Sequence, residues 1–219
     1  MERKASEPPA RRGGIGPVSR TLTQDHQRLT KTGDAVFPVA LTGQRLNLRE
    51  FEPDDAEARW AYVSDPLVSR YQTWTPLADY EACVEMLASD IAEAKSNDRK
   101  QYLLAAELDG KVIGEAGLNL NSRRSSSCSI FFTMTRDRWG CGYATEAGRM
   151  VVRFAFETFD LHRVVATCHP DNAASRAVIT RKLGMQYEGR LREASRLFNN
   201  EWADSESYSL LRREWEANS

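Results

Sequence analysis

A mixed α/β domain, one sheet with helices on its faces, is the fold predicted by three observations. Apolar and polar residues alternate in short stretches, most clearly over Arg45-Leu46-Asn47-Leu48-Arg49-Glu50-Phe51, which is the period of a half-buried strand. Other stretches place apolar residues three and four apart, as in Cys83, Met86, Leu87 and Ile91, the stripe of an amphipathic helix. Strand-like and helix-like stretches then alternate along the chain, the order expected of helices packed on a shared sheet.

The 219 residues suit one domain with an appendage, since domains cluster at about 100–200 residues. Residues 1–36 are rich in Pro, Gly, Ser, Thr, Arg and Lys and poor in large apolar groups. Such a composition cannot bury enough surface to offset its ordering entropy, so a flexible basic N-terminal arm is expected, with the folded domain over 37–219. After the first strand, Pro53-Asp54-Asp55 opens a helix to about Ser64, which Asp65-Pro66 punctuates, and Leu67 to Tyr71 is a second, short helix. Asp79 to Lys95 is a longer amphipathic helix. Tyr102 to Leu108 and Lys111 to Leu118 flank Asp109-Gly110, the favoured two-residue hairpin turn. A polar loop, Ser122 to Ser127, leads to a strand over Ser129 to Met134. A helix from Ala147 to Phe159, a buried strand Arg163 to Cys168 and a helix Asn172 to Leu183 stopped by Gly184 come next. Met185 to Glu193 and Trp202 to Leu211 close the sheet as an antiparallel pair.

Chemistry concentrates between that strand and helix, in Trp139-Gly140-Cys141-Gly142-Tyr143-Ala144-Thr145-Glu146-Ala147. Two glycines at a strand-to-helix junction let backbone N–H groups approach an anion, and the helix N-terminus adds partial positive charge. The spacing is neither the Walker pattern nor the dinucleotide fingerprint. A plain turn is the alternative for a Gly-x-Gly taken alone.

The net charge of −1 argues against a nucleic-acid coat, which is usually distinctly basic. No run approaches the ~18 apolar residues of a membrane span, and no signal-type apolar segment leads the chain. A soluble cytoplasmic protein is expected. The four cysteines, Cys83, Cys128, Cys141 and Cys168, form no Cys-x-x-Cys pair, so they are expected as free thiols and no metal site is expected. Cys141 lies in the glycine loop, where a helix N-terminus can lower a thiol pKa; a tolerated variable position is the simpler reading.

This order of elements, and the wording of the second half, resemble the Gcn5-related N-acetyltransferase (GNAT) superfamily over about residues 39–215. The likeness is greatest to its branch of ribosomal-protein alanine N-acetyltransferases. In the family loop, Gln/Arg-x-x-Gly-x-Gly/Ala, Trp139 takes the first place, Gly142 the fourth and Ala144 the sixth. Asn172-Ala173-Ala174-Ser175 and Leu183-Gly184-Met185 resemble the family's Asn-x-x-Ser and Leu-Gly-Phe marks, and Arg45-Leu46-x-Leu48-Arg49, Asp54-Asp55-Ala56, Ser64-Asp65-Pro66 and Arg70-Tyr71-x-x-Trp74 agree in the first half. The resemblance implies the acyl-CoA N-acyltransferase fold, with a mostly antiparallel central sheet. It also implies an acetyl-CoA-dependent transferase acting on a primary amine, first of all a protein or peptide N-terminal α-amine. The alternatives are a small-molecule or peptide natural-product amine, in tailoring or resistance, or a non-catalytic acyl-CoA-binding regulatory protein.

The resemblance further implies site roles. Backbone N–H groups of Trp139, Gly140, Cys141, Gly142, Tyr143, Ala144 and Thr145 would hold the acetyl-CoA diphosphate. An amide near Phe132, Thr133 and Met134 would polarise the thioester where this strand splays from the next. Asn172 would hold the pantetheine amide, and Ser175, on the same side of the helix, would protonate the departing sulfur. A helix N-cap with a serine in its first turn is the alternative for that pair. Many members carry a Glu early in the strand before the loop; ungapped counting back from Trp139 puts Ser129 there. Glu115 is the first substitute base, a surface Glu on a hairpin its alternative. His169 or a water relay is a further option, and Glu146 is assigned to the helix dipole. Tyr71 and Trp74 would wall the acceptor site, with ordinary core packing as the alternative. Asp204 and Glu206 are candidates to attract a cationic amine. No nucleic-acid or membrane partner is expected, and a homodimer through the late strands stays open.

Overall fold

The computed structural model describes residues 36–121 and 126–218. The expected arm therefore lies almost wholly outside the described residues, as do four residues of the Ser122–Ser127 loop. The described chain forms one eight-stranded sheet: β1 (Ala40–Thr42), β2 (Leu46–Arg49), β3 (Gln101–Leu108), β4 (Lys111–Leu120), β5 (Ser127–Met134), β6 (Arg163–Cys168), β7 (Gln186–Arg196) and β8 (Trp202–Leu211). Their order in space is β1-β2-β3-β4-β5-β6-β8-β7. All neighbours are antiparallel except β5 and β6.

Six α-helices accompany the sheet: α1 (Ala56–Val63), α2 (Pro66–Ser69), α3 (Tyr80–Ala94), α4 (Tyr143–Phe159), α5 (Ala173–Ala177) and α6 (Arg212–Ala217). The Asp79 carboxylate accepts from the Ala82 amide at 2.8 Å and so starts α3, and Asp65 does the same for α2 through Leu67 at 2.9 Å. Each cap satisfies an amide that a helix start leaves without a partner. In the hairpin turn, Asp109 and Gly110 have φ of 50° and 77°, the paired positive values that match strand twist.

The main core lies between α4 and one sheet face. Val151, Ala155 and Phe156 of α4 meet Leu48, Leu104, Ala116 and Leu118 from the strands. Burying each phenylalanine of this stripe (Phe154, Phe156, Phe159) contributes about 1.5–3 kcal/mol. The opposite face is covered by α1 and α3 through Phe51, Ala56, Leu87, Ala105 and Val112. That face keeps its polar groups near β5, and the site lies there.

Apart from shifted ends, three elements differ from expectation. β1 has only three residues at the sheet edge, too few for a periodic signal. α6 is held by tertiary contacts: Trp215 stacks on Phe156 at 5.1 Å, and Arg212 donates to the carbonyls of Leu161 and Phe156 at 2.9 and 2.7 Å. The helix expected from Asn172 to Leu183 is α5 followed by a π-turn, Val178–Lys182.

Candidate active site

The sheet opens where its direction changes. β5 pairs with β6 only over Ser127–Ser129 against Arg163–Val165. Beyond that, β5 stays on β4 while β6 stays on β8, leaving a V-shaped gap. The carbonyl of Ser127 accepts from Asn121 at 3.0 Å and the Thr135 amide donates to Ile113 at 2.8 Å, so odd-numbered β5 residues turn their backbone groups to β4. By strand alternation, Phe132 and Met134 turn theirs into the gap, and Thr133 does not. The Met134 carbonyl is taken by the Trp139 indole N–H at 2.9 Å, which leaves the Met134 amide.

At the end of β5 the glycine loop runs into α4. Trp139 is half-exposed, and its own amide donates to Arg136 at 3.2 Å. By contrast, the amides of Gly140 through Thr145 have no protein acceptor among the described residues; the first helical bond is Glu146 to Gly142, at 3.1 Å. The helix thus begins at Tyr143, four residues before the expected Ala147, and its orphan amides belong to the loop motif itself. Gly140 and Gly142 have φ of 75° and 84°, where a side chain is strained. A Cβ on Gly140 would meet nothing within 4 Å, and one on Gly142 only the Arg45 Nη2 at 3.4 Å.

Arg45 and Glu146 brace this loop and line one groove with Gly142 and Thr145. The Glu146 carboxylate accepts from the Arg45 and Leu46 amides at 2.6 and 3.0 Å and from Arg45 Nε at 2.8 Å. Desolvation raises its pKa, but these donors outweigh that and bring it below the ordinary value. Glu146 therefore ties α4 to β2 rather than serving the helix dipole alone. Arg45 also donates to the Cys141 carbonyl at 3.0 Å and lies over the Tyr143 ring at 4.5 Å. The Cys141 thiol is exposed, and Cys83, Cys128 and Cys168 are buried and free.

A cleft of about 770 Å³ brings together Glu115, Ser129, Tyr71, Trp74, Asn172 and Ser175, with Phe132 and Thr133 in its wall. Gly142 and Thr145 line a different groove, with Arg45, Arg149 and Lys182. Glu115 faces Thr133 across the β4–β5 pair and accepts the Tyr62 hydroxyl at 2.7 Å, with Arg59 Nε 3.7 Å away. Burial pushes this carboxyl up more than Arg59 and Tyr62 pull it down. It is a shielded carboxylate, not a surface one.

The Asn172 side chain caps α5, its oxygen accepting from the Ser175 amide at 3.0 Å. That leaves the Asn172 amide nitrogen and the Ser175 hydroxyl without a partner among the described residues. Tyr71 stacks on His169 at 4.9 Å, and His169 Nδ1 accepts from the Asp171 amide at 3.1 Å. These contacts make His169 a support for Tyr71. Trp74 packs beside Tyr62, Val63 and Cys83 and also lines the cleft. Asp204 and Glu206 are already bound to Arg190 and Arg176, at 2.7 and 3.5 Å. Ser129, Asn119 and Gln101 lie abreast on three adjacent strands and line the same cleft. Sequence reading assigns no site role to Arg45, Arg59 or Tyr62, and does not join Ser129 to Asn119 and Gln101. Each is ordinary in its own segment and is marked only by what distant segments bring to it.

No helix among the described residues is long and apolar enough to cross a membrane. The model of the acetyltransferase (GNAT) domain matches residues 45–186. An uncharacterized N-acetyltransferase from Bacillus licheniformis, p20, is 28% identical over 78% of this chain and 96% of its own. A Bacillus subtilis protein named as a candidate ribosomal N-acetyltransferase, YdaF, is 30% identical over 79% of this chain and 94% of its own. Among solved structures, Mycobacterium smegmatis RimJ in complex with CoA-disulfide superposes with a TM-score of 0.71 at 24% identity, over 81% of this chain and 90% of that one. The chain belongs to the GNAT acetyltransferase family and is an acyltransferase of its fold.

Proposed function

We propose that the enzyme transfers the acetyl group of acetyl-CoA to the α-amino group of a protein or peptide, by direct attack in a ternary complex. The observation that carries this reading is the run of unpartnered amides from Gly140 to Thr145, beside the strand gap that opens onto Glu115. Such amides at a helix start are a ready anion site, and Gly140, where a Cβ would meet nothing within 4 Å, leaves the loop open to a diphosphate. Structures of this fold with CoA-disulfide bound, RimJ, and with acetyl-CoA and AMP bound, the microcin C7 self-immunity acetyltransferase, support that choice.

Acetyl-CoA, when bound, supplies an acyl group activated as a thioester. The residues supply the rest. The Phe132 or Met134 amide, turned into the gap, donates to the oxygen where negative charge develops. Glu115 takes the proton from the attacking amine, and its raised pKa brings it nearer the range where a base works at neutral pH. The Ser175 hydroxyl would donate to the departing sulfur, and the Asn172 amide nitrogen would hold the cofactor arm. Tyr71 and Trp74 wall the acceptor.

Two features favour a peptide over a small charged amine. Asp204 and Glu206 are already neutralised by arginines. The row of Gln101, Asn119 and Ser129 offers uncharged donors and acceptors, the kind that match peptide groups. The test is to offer acetyl-CoA with short peptides, including ribosomal-protein N-termini, and with amine metabolites, and to weigh the products. Acetylation at a peptide N-terminus is expected. Acetylation of metabolites alone would reject the acceptor class, and coenzyme A release with no amine would reject the transfer.

A further inference from the structure

Three arginines, Arg49, Arg59 and Arg99, are paired with carboxylates beside the sheet, and one pair is unlike the others. Arg49 holds Asp55 with two bonds of 2.7 and 2.9 Å, and Arg99 holds Glu50 with two of 2.6 and 2.9 Å. These are the bidentate forks that compensate desolvation. Arg59 is buried more deeply than Arg49, 4% exposed, yet it spends one nitrogen on Asp90 at 2.7 Å and stands 3.7 Å from Glu115, too far for a hydrogen bond. Its Nε and Nη1 are buried without any hydrogen-bond acceptor. A buried donor left so costs stability, about 1–3 kcal/mol, and a pair built for stability would have closed the fork.

The loose pair sits in the cleft, since Arg59, Asp90 and Glu115 all line it. Four ionisable groups surround the Glu115 carboxylate: Arg59 and Tyr62 from α1, and Cys83 and Asp90 from α3. Tyr62 anchors one carboxylate oxygen by its 2.7 Å bond. Asp90 draws the guanidinium the other way. We infer that Arg59 is a positioning residue for proton transfer, held by Asp90 at a distance from Glu115 that leaves the carboxylate charged but free to accept a proton. The inference rests on Glu115 as the base proposed above. A closed Arg59–Glu115 fork would hold the carboxylate as a permanent anion and weaken it as a base; no arginine at all would leave a buried carboxyl protonated and idle.

The arrangement predicts an ordering of variants. Arg59→Gln removes the positive charge, so the acid limb of kcat/KM moves to higher pH, with about a tenfold loss on the acid side that is regained as pH rises. Tyr62→Phe moves the limb the same way by removing a donor to the charged form. Asp90→Asn moves it to lower pH, because a repelling charge is lost and Arg59 is released toward Glu115. Arg59→Lys restores most of the parent profile. The second readout is the 13C carboxyl titration of Glu115 in the protein without acetyl-CoA, where the midpoints should fall in the same order.

A merely structural Arg59 would lower the melting temperature and the rate at every pH while all midpoints coincide, and coincident midpoints in both readouts would overturn the inference. If Arg59→Gln does not fold, Asp90→Asn and Tyr62→Phe, which shift in opposite directions, decide it. If Glu115→Gln keeps the acid limb, Glu115 is not the base and the mechanism above fails. The carboxyl titration then still reports whether Arg59 and Asp90 govern that carboxylate.

Discussion

Ser175 presents its hydroxyl to the cleft from the first turn of α5, while its amide is held by the Asn172 side chain at 3.0 Å. Ser175→Ala removes the hydroxyl and leaves the cap, so kcat should fall about 100-fold, the low end of general acid catalysis. The affinity for coenzyme A should stay within about twofold of the parent (an order-of-magnitude bound), as titration calorimetry would show. Equal losses in both would make Ser175 a binding residue. At Glu115 the linkage runs the other way from most carboxylates. Burial raises its pKa above the ordinary 4.5, so the folded chain binds this proton more tightly than the unfolded one, and stability falls as pH rises from 4.5 through the folded value. Glu115→Gln lacks that dependence. The melting temperature of the variant, relative to the parent, should climb over this interval and level off above it; a gap independent of pH would mean that Glu115 titrates normally. Asn172, Ser175 and the glycines were legible in the sequence because a cap, a turn and a helix start are local events. Arg59 and Tyr62 were not, since three residues apart on α1 they look like one more amphipathic helix until β4 and α3 bring Glu115 and Asp90 to them.

The start of α4 is where element and site coincide. The strand and helix flanking the loop were both legible, yet the helix was placed four residues late, because Gly142 at φ of 84° reads as a breaker when it is in fact the N-cap. The tie between this start and β2 had no local mark at all: Arg45 and Glu146 are about a hundred residues apart. Glu146→Gln should loosen the loop at both ends of that tie and weaken coenzyme A binding about tenfold, roughly the value of a lost charge-assisted hydrogen bond. Its pH dependence has the usual sign. Hydrogen bonds from Arg45 and Leu46 outweigh desolvation and bring the folded pKa below 4.5. The stability it contributes is therefore present above 4.5 and lost as pH falls through the folded value. The parent's advantage over Glu146→Gln in acid unfolding should shrink across that interval, and an advantage that persists at the lowest pH would assign it to packing instead.

On the scale of the whole molecule, one topological event makes the site. Seven strand contacts are made in this sheet and only that between β5 and β6 is parallel. A parallel step needs a crossover, and α4 is that crossover, so its N-terminus must lie at the end of β5 where the strands part. Ligands of open α/β sheets gather at such reversals for this reason. The fold class and the alternation of elements were legible from periodicity, but the three-residue pairing of β5 and β6 that opens the gap depends on strand register, which no single stretch of sequence carries. If the gap and the amides act as one receptor, coenzyme A stabilises the folded chain by mass action, about 2.7 kcal/mol at a hundredfold excess over Kd. That corresponds to a rise of roughly 5–10 °C in melting temperature for a domain of this size. Gly142→Glu adds a carboxylate to the loop at a position of positive φ, where its charge repels a diphosphate held by the neighbouring amides. The variant should melt as a cooperative unit, somewhat below the parent because of the strained φ, and its melting temperature should not respond to coenzyme A. A full ligand response in Gly142→Glu would move the anion site elsewhere on the molecule, and no response in the parent would leave the amides of Gly140 to Thr145 as a structural turn.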